Sequence, residues 1–245
     1  MGAGYPDRAK WSERYLYTHA EAYLAIKDRV ELVGFVEPDI ARAQYAHATF
    51  GGASYKDVEP AIRDLKPDIV SICTPPETHF EMLSSCYGNG VRGYWCEKPL
   101  GGIPDGMFGA KVQVNYIRRF ENRHVWFRPN PDHAVTSLWV WAKKDVHTVC
   151  HFTDLARFWG VEKAGLHYFH MDGPCSYVAH VEHAVRPDYD TLFPLGGIPD
   201  GSPFMVNALT NLLDAVEGKA ELISPPENAI ESEKWANEIL EAKCP

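Results

Sequence analysis

Short apolar runs alternate with helix-like segments through the first half of the chain, and this alternation restricts the fold more than any other feature. Residues 30–36, 68–73 and 91–95 are apolar runs of strand length, with amphipathic stretches before and between them. Strands that alternate with helices in this way predict a parallel, doubly wound sheet. We therefore expect an α/β fold in this half of the chain.

The pattern changes after residue 98. Residues 111–117 and 135–142 are rich in β-branched and aromatic side chains, which are typical of strands, and 166–184 is a mixed aromatic and histidine segment that is read as possible strand. Apolar residues at helical spacing predict two helices near the end, over 207–216 and 226–242. The second half is therefore expected to hold a sheet followed by helices.

Charge, hydropathy and cysteine usage exclude several classes of protein. The net charge of −9 argues against a nucleic-acid partner, which needs a basic surface. No apolar run approaches the roughly 18 residues that span a bilayer, so no membrane partner is expected. The six cysteines form no C-x-x-C pair, which argues against a zinc ribbon or a dithiol redox site. A reducing, cytoplasmic location fits these cysteines best.

Polar residues follow two of the apolar runs directly. Thr74-Pro75 comes after the run 68–73, and Glu97-Lys98 comes after the run that ends at Trp95. In an open parallel sheet the ligand binds outside the carboxyl ends of the strands. A lysine between an acid and a proline at that edge is therefore a candidate for chemistry, and the alternative is a solvated surface lysine.

Several motifs, taken in their order along the chain, resemble the Gfo/Idh/MocA oxidoreductases, which include glucose–fructose oxidoreductase and inositol dehydrogenase. They are D-I-V-S-I-C-T-P-P-E-T-H at 68–79, E-K-P at 97–99, N-Y-I-R-R-F at 115–120 and H-F-T-D at 151–154. The resemblance implies a Rossmann-like NAD(P)-binding domain at 1–119. It also implies a substrate-binding α/β domain at 120–245, with an open, mainly antiparallel sheet that often forms the contact of a homo-oligomer.

The family pattern begins with a strand that leads into a glycine-rich turn, whereas this sequence begins within that turn. The sequence is therefore expected to be a trimmed version of the family, also in the loops after Pro99 and Phe120. Glu37 ends a strand-like run, where an acid accepts hydrogen bonds from ribose hydroxyls and repels a 2′-phosphate, so NAD is favoured over NADP. The expected cofactor-binding residues are Gly2, Ala3, Gly4, Glu37, Thr74, Pro75, His79, Glu97 and Lys98.

The expected catalytic residues are Lys98, His151 and His147. The resemblance implies that Lys98 polarises the substrate oxygen and that His151 accepts the hydroxyl proton. His147 stands where the family often has an aspartate, one helical turn before His151. That pair also has the spacing of two zinc ligands, but no Glu follows His147 as in H-E-x-x-H, and no metal is expected. The expected substrate-binding residues are Tyr116, Arg119 and Asp154.

These residues together predict an NAD-dependent oxidoreductase. It would transfer a hydride between nicotinamide and a carbinol carbon of a sugar, cyclitol or nucleotide sugar. The alternative is a non-catalytic protein of the same fold that senses a dinucleotide or a sugar. Retention of both Lys98 and His151 favours the enzyme, whereas His147 and the trimmed segments favour the binding protein.

Overall fold

The computed structural model describes residues 18–121, 140–142, 146–158, 166–170, 177–181 and 203–241. Within these ranges the chain forms eight strands and seven α-helices. The strands are β1 Gly34–Val36, β2 Ala53–Tyr55, β3 Ile69–Ile72, β4 Gly93–Cys96, β5 Lys111–Val114, β6 Val140–Ala142, β7 Leu166–His170 and β8 Tyr177–Val181. The helices are α1 His19–Ala25, α2 Ile40–Phe50, α3 Val58–Leu65, α4 His79–Cys86, α5 Val146–Phe158, α6 Phe204–Val216 and α7 Pro226–Glu241.

The predicted α/β fold with parallel strands is confirmed. β1 pairs with β2, and β3, β4 and β5 pair in that order, all in parallel. A helix lies between β1 and β2 and another between β3 and β4, as is usual for parallel connections, whereas a loop without a helix connects β4 to β5. Within the described ranges, β1–β2 and β3–β4–β5 are two separate sheets. A third sheet, in the order β6–β8–β7, is antiparallel, as expected for the second domain.

The chain divides into two compact units. The first contains 1–117 with 203–226, and the second contains 118–202 with 227–245. Residues 203–226 thus belong to the first unit, whereas the expected second domain, 120–245, includes them. The physical reason is the apolar surface of α6, which buries seven of its residues: Phe204, Met205, Ala208, Leu209, Leu212, Leu213 and Ala215.

Part of the core of the first unit lies between the β3–β4–β5 sheet and the helices α1 and α6. β4 is buried along its whole length, which is typical of a central parallel strand. Ser71, Trp95 and Gln113 are in register on adjacent strands and so share one face. His19 of α1 stacks on Trp95, and the Gln113 amide donates to the Ala208 carbonyl of α6. The two helices therefore cover the same face of the sheet.

Local signals explain where the elements begin and end. Thr18 and Glu21 form a reciprocal capping box at the start of α1, in which each side chain accepts from the other's backbone N–H. Asp39 caps α2 by accepting from the Arg42 N–H at 3.0 Å. No helix in the part of the chain that the structure describes is long and apolar enough to cross a membrane.

Candidate active site

The loops after β3 and β4 lie together at the carboxyl ends of these parallel strands. The Glu97 N–H donates to the Ile72 carbonyl at 2.9 Å, so the E-K-P turn continues the pairing of the two strands. Glu97 and Lys98 are half-buried, whereas Thr74 and Pro75 are exposed. This edge is where an open α/β sheet binds its ligand, so the structure groups these four predicted residues at one candidate site.

The His79 side chain forms hydrogen bonds to both loops. It is fully buried at the start of α4, with Nδ1 2.9 Å from the Pro99 carbonyl oxygen and Nε2 2.9 Å from the Thr74 carbonyl oxygen. The ring therefore braces the E-K-P turn against the loop that follows β3. This position gives His79 a structural task, and its direct contact with a cofactor stays a prediction.

Glu97 and His19 form an ion pair, in which His19 is buried and Glu97, next to Lys98 in the chain, is half-buried. Glu97 Oε1 lies 3.1 Å from His19 Nε2 and accepts from the Asn115 side-chain amide at 2.7 Å. Burial alone would raise the pKa of Glu97, but the charge and hydrogen bonds of His19 and Asn115 outweigh it and lower the pKa to about 2. Glu97 is therefore an ionised carboxylate, and its orientation is fixed by two buried partners, His19 and Asn115.

His19 carries the opposite charge. Burial by itself lowers the pKa of this imidazole, but its interactions with Cys73 and Glu97 outweigh burial and raise the pKa to about 9. The other ring nitrogen, Nδ1, lies 3.0 Å from the Ser71 hydroxyl oxygen. The carboxyl end of the sheet thus contains an imidazolium in addition to the predicted site residues.

Sequence reasoning missed His19 because the residue lies in the amphipathic stretch before the first apolar run. Its partners Ser71, Glu97 and Asn115 are 52, 78 and 96 residues away along the chain. The signal that could have found it is a histidine within an apolar stripe, since a buried imidazole needs hydrogen-bond partners.

Glu37 lies at the end of β1, as predicted, and lines a cavity of about 380 Å³. Its Oε1 accepts from the Asp39 N–H at 3.0 Å, and its own N–H donates to the Tyr55 carbonyl at 2.9 Å. Ser54 and Lys56 line the same cavity. Small-molecule sites commonly have volumes in this range, about 300–1,000 Å³.

In the second unit, the predicted substrate-binding residues Arg119 and Asp154 form an ion pair with each other. Arg119 Nε and Nη2 each lie 2.7 Å from an oxygen of the Asp154 carboxylate, and the two side chains are 3% and 1% exposed. Burial raises the pKa of Asp154, although the Arg119 guanidinium acts in the opposite direction. The Ser232 hydroxyl donates to the same carboxylate at 3.3 Å. This network fixes α5, and contact of either residue with a substrate stays a prediction.

His147, His151 and Asp154 all belong to α5, at spacings that place them on one side of the helix. Their exposure falls along the helix: His147 is exposed, His151 is half-buried and Asp154 is buried. In the described ranges no three histidine, cysteine or acidic side chains cluster as metal ligands would. Lys98 and His151 belong to different units, so their joint action stays a prediction.

The other predicted site residues have simpler positions. Tyr116, two residues after the end of β5, is fully buried, and its contact with a substrate stays a prediction. Gly2, Ala3 and Gly4 lie outside the described residues.

The fold and the motifs agree with comparisons to known proteins. The model of one family, described as an oxidoreductase family with an NAD-binding Rossmann fold, matches residues 14–105. This segment matches the Gfo/Idh/MocA family. The resemblance inferred from the motifs is thereby confirmed, and the Rossmann-type assignment of the first unit with it.

One curated relative and several solved structures extend this result. D-Glucoside 3-dehydrogenase of Escherichia coli K12 is 32% identical over 88 residues, which are 36% of this chain and 24% of the relative. The chain thus spans about a quarter of the length of the curated relative it matches.

The solved structures cover nearly the whole chain. UDP-N-acetylglucosamine 3-dehydrogenase from Acidithiobacillus ferrooxidans has a TM-score of 0.69 at 16% identity, over 90% of this chain and 91% of its own. Scyllo-inositol dehydrogenase from Lactobacillus casei, solved with NAD(H) and scyllo-inositol, has a TM-score of 0.64 at 15% identity, over 90% and 92%. At these identities the likeness shows the shared α/β fold.

Proposed function

We propose that this chain is an NAD-dependent oxidoreductase. It would transfer a hydride between nicotinamide and a carbinol carbon of a sugar, cyclitol or nucleotide sugar. The observation that carries the proposal is the half-buried Glu97-Lys98 turn at the carboxyl end of β4, within a segment that matches an NAD-binding oxidoreductase family. The sugar dehydrogenases among its relatives and structural neighbours support the substrate class.

The residues present fit a dinucleotide. The cavity beside Glu37 has a volume suited to a small-molecule group, and an acid at the end of β1 suits ribose hydroxyls. Thr74, Pro75 and Lys98 lie at the same sheet edge as one another, where the nicotinamide end would be held. When bound, the nicotinamide accepts the hydride in oxidation or returns it in reduction.

The chain's own side chains would handle the substrate oxygen and its proton. The Lys98 ammonium would donate a hydrogen bond to that oxygen and stabilise the negative charge that develops there. His151 would accept the hydroxyl proton in oxidation and return it in reduction, a role suited to an imidazole. The Arg119–Asp154 pair would support this role by fixing the helix that carries His151.

The first test is turnover. NADH fluorescence titration establishes binding, and a panel of sugars and polyols with NAD establishes activity. We expect Lys98→Ala to lower kcat by about 10²–10³-fold, because it removes a donor to the developing charge. Lys27→Ala, which removes an exposed lysine that is not among the predicted site residues, should leave kcat unchanged.

Two outcomes would contradict this proposal. Turnover of Lys98→Ala within about threefold of the parent, less than roughly 1 kcal/mol of barrier, would remove Lys98 from the mechanism. NADH binding without turnover across the whole panel would instead support the non-catalytic binding protein.

The second test is cofactor choice. We expect NADH to bind at least about tenfold more tightly than NADPH, a difference of about 1.4 kcal/mol, because Glu37 repels a 2′-phosphate. Glu37→Gln should reduce this preference, and titration of both cofactors measures it. Lys56→Gln should shift the ratio in the opposite direction, since Lys56 lines the same cavity with the opposite charge. An unchanged ratio in Glu37→Gln would show that Glu37 does not select the cofactor.

A further inference from the structure

The two oxygens of the Glu97 carboxylate face different parts of the first unit. Oε1 takes the interior donors, His19 Nε2 at 3.1 Å and Asn115 Nδ2 at 2.7 Å. Oε2 accepts from the backbone N–H of Lys98 at 3.3 Å. One side chain, 26% exposed, therefore connects the buried core to the backbone of the proposed catalytic lysine.

His19 is itself held from several directions. Its side chain is 3% exposed, and its ring stacks on Trp95 with the centroids 3.7 Å apart and the planes inclined by 36°. Its Nδ1 lies 3.0 Å from the Ser71 hydroxyl oxygen, which also lies 2.9 Å from the Tyr23 hydroxyl. The imidazole therefore has little freedom to rotate, and Nε2 is kept directed at Glu97.

Asn115 completes the arrangement from the neighbouring strand. Its side-chain oxygen accepts from the indole N–H of Trp95 at 3.2 Å, which fixes which end of the amide points to Glu97. Glu97 is thus held by two oriented donors from two different elements, one after β5 and one in α1. A surface glutamate that only solvates a turn would have no such partners.

We propose that His19 is a positioning residue for Lys98. By fixing Glu97, it sets the orientation of the E-K-P turn and hence the direction in which the Lys98 ammonium points. This inference rests on the proposed function for its catalytic meaning. Its structural content, that His19 acts on Lys98 through Glu97, is independent of which substrate is used.

Small errors of position at a reacting centre are costly. A displacement of about 1 Å can lower a rate by about 100-fold. We therefore expect His19→Leu to lower kcat by about 10- to 100-fold while the dissociation constant for NADH stays within about threefold. His19→Gln, whose amide can still donate to Glu97, should recover most of the lost kcat.

A structural readout tests the inference without turnover. Reductive ¹³C-methylation labels every lysine, and the Lys98 signal is identified by its loss in Lys98→Ala. We expect the Lys98 signal to move toward the position of exposed lysines in His19→Leu. Tyr23→Phe is the matched control, because it removes a hydroxyl from the same buried cluster that contacts Ser71 and not Glu97, and it should leave the signal in place.

A double-variant cycle decides whether the effect passes through Glu97. If it does, kcat of the double variant His19→Leu/Glu97→Gln should lie within about twofold of kcat of Glu97→Gln alone. The Lys98 signal should have the same position in these two proteins. Additive losses of kcat in the double variant, or a Lys98 signal that does not move in His19→Leu, would overturn the inference. Absence of turnover in the parent protein would overturn only the proposed function, since the Lys98 signal still reports on position.

Discussion

At the scale of single residues, the first unit depends on an ion pair at the edge of its core, between the buried His19 and the half-buried Glu97. His19 and Glu97 hold opposite charges next to Trp95 and Ser71, in a region where uncompensated charge would be costly. Removing one partner of such a pair leaves the other as a buried, unpaired charge. Their separation along the chain, 78 residues, explains why the motif E-K-P could be recognised in the sequence while the partner of its glutamate could not.

The pH dependence of stability follows from the same pair. The pKa of His19 is raised to about 9, so its contribution is complete below about 6.5 and is lost as the pH rises through about 9. The pKa of Glu97 is lowered to about 2, so its contribution is complete above about 4.5 and is lost as the pH falls through about 2. The ion pair therefore stabilises the fold most between about pH 4.5 and 6.5.

We expect the free energy of unfolding to fall between pH 6 and 9.5, with a slope from His19 of at most about 1.4 kcal/mol per pH unit. His19→Gln cannot titrate, so its stability should fall less over the same range. Urea unfolding at both pH values, followed by tryptophan fluorescence, measures the difference. Cys73 and Tyr23 also face His19, and comparison with His19→Gln separates its titration from theirs. Parallel pH profiles for the two proteins would contradict the assigned charge.

At the scale of elements, the sequence predicted a strand that forms an apolar run and missed one that does not. The run 68–73 was found because three of the four residues of β3 are aliphatic, and the structure places β3 at Ile69–Ile72. β2 was missed because Ala53–Tyr55 is short, is only half-buried at its ends and has no apolar run. Its place depends on pairing with β1, which local sequence does not encode.

The contact between β4 and α6 depends on the missing side chain of Gly93. A Cβ at this position would lie 2.8 Å from Val216 Cγ2 and 3.4 Å from Leu212 Cδ1. We expect Gly93→Ala to destabilise the protein by about 1–3 kcal/mol through overpacking. Urea unfolding measures the loss, and Gly93→Ala combined with Val216→Ala should recover much of it relative to Val216→Ala alone. No recovery in the double variant would show that the helix does not limit the space at Gly93.

At the scale of the whole molecule, the first unit is assembled from two distant parts of the chain. α6 buries seven residues and packs on β4 and β5, and the Val114 N–H donates to the Ser224 carbonyl at 2.9 Å. Arg29 adds ion pairs to Asp214 at 2.9 Å and to Glu217 at 3.3 Å, all three side chains being partly exposed. The sequence showed α6 as an amphipathic helix, but amphipathicity does not say which sheet receives the apolar face.

Two shortened chains test this assembly. A chain that ends at residue 226 keeps α6, whereas one that ends at 202 loses it, and neither keeps more than the first residue of α7. Each large aliphatic side chain that α6 buries contributes about 1.5–3 kcal/mol, which is a large share of the roughly 5–15 kcal/mol that stabilises a typical domain. We therefore expect a cooperative thermal transition, followed by far-UV circular dichroism, in the chain ending at 226 and none in the chain ending at 202. Equal transitions in both would mean that the first unit folds without α6.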